Sequence, residues 1–74
     1  MWIAYHWTTR DAAASICQEG ARKHTWITKH KEYWHGEICL VVELDMDPEW
    51  NNPDKDSWQR CLCDGLPANK FHII

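Results

Sequence analysis

No apolar run in this chain approaches the ~18 residues that a membrane span requires. The N-terminal MWIAYHW likewise has no basic region followed by an apolar core and a cleavage site. The expectation is a cytoplasmic chain with no membrane association. Internal repeats, low-complexity tracts and linkers are also missing, so residues 1–74 read as a single domain. The paired C-x-x-C spacing of structural zinc sites is absent too. Cys17, Cys39, Cys61 and Cys63 therefore read as buried thiols, with no disulfide framework and no metal expected. The segment around Asp45, Asp47 and Glu49 is not a calcium loop, because Pro48 intervenes and the central glycine is missing.

What is present is aromatic. Six Trp, two Tyr and one Phe stand in 74 residues, and each ring can bury roughly 150–250 Å². Dense packing is thus the expected means by which so short a chain holds together. The 45% hydrophobic and 26% charged fractions are those of an ordinary globular protein and argue against disorder. Charge is uneven. Residues 1–36 carry five Lys/Arg against three Asp/Glu, and residues 37–74 carry three against eight, for a net −3 overall. That balance makes nucleic acid an unlikely partner and directs any anionic ligand to the first half.

Residues 2–7 are aromatic and β-branched and predict a first strand, and Thr8-Thr9-Arg10-Asp11 matches a capping box. The helix that follows buries Ala12, Ala13, Ile16 and Cys17 on one face, and Gly20 is placed to end it in a left-handed conformation. Residues 25–28 read as a second strand, and 29–35 as a loop or one helical turn. The pattern over 38–44 gives a strand with both faces buried, central in its sheet. Residues 45–57 form a polar, turn-rich loop. Residues 58–63 and 71–74 close the chain as two further strands. The fold class expected is α+β, a small, mostly antiparallel sheet with one main helix.

Four constellations bear on chemistry. The alternating Glu43, Asp45, Asp47 and Glu49 suit a divalent cation or a mimic of the DNA phosphate ladder, but a solvated strand end running into a polar loop is the preferred reading. Cys61, Cys63 and His72, joined by His6, His30 or His35, could supply four zinc ligands, against a reading as small hydrophobes and exposed imidazoles. Any cysteine near any histidine invites nucleophilic catalysis, but on apolar faces thiols are inert. The fourth is AYHWTT. His6 at a strand end, a helix N-terminus near Thr9, and Trp26 and Thr28 preceded by Arg22, Lys23 and His24 suit an anion cradle beside rings able to stack on nicotinamide or adenine; an equally simple reading has His6 satisfied by a backbone carbonyl and the rings in the core.

The succession Tyr5-His6-Trp7-Thr8, then Ala13, Ile16 and Gly20 in A-x-x-I-x-x-x-G, then Trp26-Ile27-Thr28, then GEICLVVELD over 36–45, and finally GLP and FHII, resembles the small ADP-ribosyltransferase-like domains. These use NAD. The resemblance implies that His6 holds the ribose or nicotinamide amide, that Thr8 sits at the pocket edge, and that Trp26 and Thr28 occupy the second motif strand. The family's catalytic glutamate would fall near Gln59 or Arg60, and no glutamate stands there. The chain is also shorter than a complete transferase core, which points to a reduced or inactive relative. Were it catalytic, nicotinamide would be displaced from NAD, with His6 orienting the ribose and Glu43 or Glu37 as substitute carboxylate. The alternative is a small interaction or inhibitor protein, phage-like or regulatory. It would act through a Trp-rich surface and the acidic segment 43–56.

Overall fold

The computed structural model describes residues 1–74. Strand β1 spans Trp2–Thr8, helix α1 Arg10–Glu19, β2 Thr25–Thr28, β3 Ile38–Leu44, β4 Gln59–Leu62 and β5 Phe71–Ile73. Single 3₁₀ turns stand at Lys31–Tyr33 and Ala68–Lys70. The sheet order is β4-β2-β1-β3-β5, with every neighbouring pair antiparallel. The result is the small α+β fold that the element pattern predicts. Strand β3 is interior as expected, although the central place belongs to β1.

Alternation along the strands gives the sheet two unlike faces. On the inner face Ala4, Leu40, Val42, Leu44, Ile27 and Phe71 are buried and meet Ala13 of α1. Ile16, Cys17, Ile38, Leu62 and Leu66 pack around them. This core is aliphatic apart from Phe71. No tryptophan is fully buried: Trp2, Trp26 and Trp34 are exposed, and Trp7, Trp50 and Trp58 are half-buried. Which rings are buried, left open by the sequence, is thereby answered: the half-buried Trp50 packs against the core, and the exposed indoles leave a Trp-rich surface. Trp7 and Trp26 lie on the outer face and Trp34, Trp50 and Trp58 in the loops, while Trp2, opposite Leu44, shares the inner face at the start of β1.

Helix α1 begins as its sequence predicts, one residue later in detail. Thr9 is the N-cap, its Oγ accepting the Ala12 N–H at 3.2 Å. At the far end Gly20 has φ 90° and donates its N–H to the Ile16 carbonyl. Its ψ of 173° is extended, where a left-handed cap would turn the chain back. The cause is a bridge between Ala21 and Leu66 that draws the exit of the helix against the turn before β5. A Cβ on Gly20 would collide with the Leu66 carbonyl, and one on Gly65 with that of Ala21.

The 45–58 loop is organised around Arg60. Its guanidinium donates to the Pro48 carbonyl at 2.6 Å and to the Asp56 and Glu49 carbonyls, and lies 5.1 Å from the Trp50 ring centroid.

Candidate functional site

Strand β1 is unequally held. Seven of its residues pair with β3, from Trp2↔Leu44 to Thr8↔Ile38, whereas only Tyr5↔Thr28 joins it to β2. Beyond that pair the imidazole of His6 stands in for the ladder, with Nδ1 2.6 Å from the Trp26 carbonyl oxygen. A nitrogen facing a carbonyl must carry the proton, so this contact fixes Nδ1–H as the donor. His6 thus fills an opening between β1 and β2, and a cavity lies on each side of it.

The outer cavity, about 320 Å³, is lined by His6, Trp7, Trp26, Thr28, Trp34, Trp58 and Gln59. Several contacts hold these walls. The Trp7 indole N–H donates to the Lys31 carbonyl at 2.8 Å, which ties the 3₁₀ turn over the outer face. Edge-to-face contacts run from His30 to Tyr33 and on to Trp58, with centroids 4.9 and 6.2 Å apart. Thr28, a buried polar residue, donates its hydroxyl to the His30 carbonyl at 3.1 Å. That proton is committed to the fold, so Thr28 contributes a wall and an acceptor. Gln59 donates its amide to Asp56 at 3.0 Å and keeps its carbonyl oxygen free for a ligand.

The inner cavity, about 740 Å³, opens between α1 and the sheet. Thr8, Thr9, Ser15, Arg22 and Thr25 line it with His6, and so do Asp11 and Glu19. Two carboxylates oppose one guanidinium, so the expected anion cradle at the helix N-terminus is corrected to a polar cavity without positive excess. Sequence reasoning passed over Asp11, Ser15, Glu19 and Thr25. The helical spacing of Asp11, Ser15 and Glu19 at i, i+4 and i+8 was the signal available.

The predicted site residues separate accordingly. His6, Trp26 and Thr28 share the outer cavity, while Thr8 lies in the inner one. Glu43 belongs with neither. It is opposite Ile3, three positions or roughly 10 Å along β1 from His6. Its carboxylate takes His72 Nε2 at 2.8 Å. The pairing of His6 with Glu43 as catalytic groups is thereby corrected, since strand register sets them apart; Glu37 lines neither cavity. Gln59, where the resemblance would set a carboxylate, does line the outer cavity with His6.

The acidic series is dispersed as well. Asp45 pairs with Lys70 and Glu49 with Lys55, and Asp47 accepts the Glu49 N–H at 2.7 Å. Lys55, by hydrogen bond and charge, holds the Glu49 carboxyl below its ordinary range. The four carboxylates do not converge on a cation.

The cysteines differ from their reading as uniformly buried thiols. Cys39 is buried, Cys17 and Cys61 are half-buried and Cys63 is exposed, all unpaired. Burial pushes the Cys39 thiol up, partly offset by the charge of Lys31. Cys61 is also pushed up, first by desolvation and then by hydrogen bonding and charge from Cys63. Its neighbour is His24 in place of the expected His72, with Sγ 3.9 Å from Nδ1.

No helix is long and apolar enough to cross a membrane. No protein-family model matches this chain, nor does any curated protein or solved structure.

Proposed function

We propose that this chain is a binding module for a flat, electron-poor ring, that NAD is its ligand through the nicotinamide, and that it does not transfer the ADP-ribosyl group. The observation that carries the reading is the outer cavity, where four tryptophans, Thr28, Gln59 and His6 converge around about 320 Å³. That volume is at the small end of ligand pockets and suits a single ring. Tryptophan faces are the strongest aromatic partners for a cation, and the nicotinamide of oxidised NAD is a pyridinium. The carboxamide would meet the free Gln59 carbonyl. The remainder of the dinucleotide would extend past His6 into the inner cavity, where Arg22 and the Thr8 and Thr25 hydroxyls would receive it against the carboxylates of Asp11 and Glu19.

Catalysis is left out for a physical reason. Nicotinamide departure builds positive charge on the ribose, which a nearby carboxylate stabilises. Gln59 is neutral, and Glu43 is engaged with His72 away from His6. Titrating the protein with oxidised NAD, its reduced form and ADP-ribose, while following Trp indole and His6 ring signals by NMR, tests the proposal. Saturable shifts at Trp26 and His6 with the oxidised form, weaker with the other two, are expected. Flat spectra at millimolar ligand sink it, and nicotinamide released on prolonged incubation would sink the non-catalytic part.

A second reading rests on the same face. Ile3, Trp26, Tyr33 and Trp34 are all more than 40% exposed, the composition of an interface hot spot. A protein partner docking there would be lost in Trp34→Ala. It would be indifferent to charge reversal at Asp45, Asp47 and Glu49, each of which is already partnered within the chain, by Lys70, the Glu49 N–H and Lys55.

A further inference from the structure

His24, Cys61 and Cys63 come together at the edge of the sheet, and neither the ring pocket nor the core uses them. One ligand atom from each lies within 4.8 Å of the other two. They arrive from distant parts of the chain. His24 precedes β2, Cys61 is in β4 opposite Trp26, and Cys63 follows β4. The backbone aims them. His24 adopts φ 66°, rare for a residue with a side chain, and its N–H donates to the Leu62 carbonyl at 2.9 Å. That bond pins the imidazole beside the two thiols flanking Leu62.

The chemistry of the set is specific. Two sulfurs and an imidazole nitrogen are the donors that zinc prefers. With Zn–S near 2.3 Å and Zn–N near 2.0 Å, a tetrahedral ion would hold sulfur and nitrogen about 3.5 Å apart. Cys61 Sγ and His24 Nδ1 are at 3.9 Å, so closure needs a few tenths of an ångström. A disulfide is the poorer use of the pair. Cα atoms two residues apart on an extended strand are about 6.6 Å distant, at the far limit of disulfide geometry.

We propose that His24 Nδ1, Cys61 Sγ and Cys63 Sγ form a zinc site that clips the start of β2 to the end of β4, with water as the fourth ligand. The clip spans 37 residues of sequence and adds to the four register pairs that join β2 to the edge strand β4. Binding displaces the two thiol protons and leaves a neutral centre, zinc dication with two thiolates.

Cobalt(II) titration of the reduced protein tests this, because tetrahedral cobalt shows visible d–d bands and thiolate coordination adds a near-ultraviolet charge-transfer band. Uptake of one equivalent with both signatures, displaced by zinc, is expected. Cys61→Ser and Cys63→Ser should each weaken binding by at least about 100-fold, more than loss of an outer-sphere partner costs. Cys17→Ser should bind as the unaltered chain does. His24→Asn should weaken binding similarly while keeping the fold, since asparagine tolerates positive φ; an unchanged far-ultraviolet spectrum checks that. No uptake, no charge-transfer band, or a band indifferent to Cys61→Ser and Cys63→Ser would each overturn the assignment.

Discussion

On one side of β1, seven residues pair with β3 in unbroken register; on the other, Tyr5 alone pairs with β2. The closed seam lies over Leu40, Val42 and Ala4, all without solvent exposure. The open seam holds His6, the two cavities and exposed Trp26. A backbone that completes its ladder leaves no room for a ligand. A backbone that leaves it incomplete must satisfy its polar groups by other means, and the His6 ring does so for Trp26. The difference assigns stability to one half of the sheet and binding to the other.

The sharpest way to break that division is to empty each half in turn. Leu40→Ala removes a fully buried side chain at the closed seam and should cost about 2–5 kcal/mol in urea unfolding. Trp26→Ala, more than half exposed, should change unfolding by no more than about 0.5 kcal/mol while abolishing the response to NAD. A comparable loss of stability in both variants would mean that the open seam is also structural.

Next in size is Gly20→Ala. The positive φ and the nearby Leu66 carbonyl both resist a side chain, and a cost of about 1–3 kcal/mol is expected. Its consequence for the comparison is directional. Gly20 and Ala21 line the inner cavity and neither lines the outer one, so ligand contacts at Thr8 and Thr25 should weaken while the Trp26 signals keep theirs. Equal loss at both would make the two cavities one unit.

Which parts of this were legible in the sequence follows from how local each signal is. Strand β1, helix α1 and strand β3 were each predicted to within about one residue. Their periods, the Thr9 cap and Gly20 are contained in short windows. The candidate site was legible only by residue type. His6, Trp26 and Thr28 do meet, but the register that sends Glu43 to Ile3 and His72 depends on pairings between distant segments. The same holds for His24, which meets Cys61 across 37 positions, and for the tryptophans. Periodicity does not say which of the six are buried and which are free. In the fold Ala4, Ala13, Phe71 and aliphatic chains form the core between α1 and the sheet, and Trp50 packs against it from the loop.

The smallest effect concerns Cys39, which sits on β3 opposite Trp7, whose indole holds the Lys31 carbonyl of the Lys31–Tyr33 turn. Burial raises its pKa, so the folded state keeps the thiol proton more tightly than the unfolded chain does. Stability is therefore full below the ordinary thiol range and declines as pH rises through it. Cys39→Val should flatten that decline, read as the slope of the urea midpoint against pH. Labelling by a thiol reagent separates the seams further. Cys63, exposed, should react first and Cys39 last. If Cys39 reacts only at the rate of global unfolding, the turn that carries Trp34 stays down as long as the closed seam holds. If it reacts faster, the turn lifts on its own. The outer cavity then opens by local motion at the aromatic contacts His30–Tyr33 and Tyr33–Trp58, with β1 and β3 undisturbed.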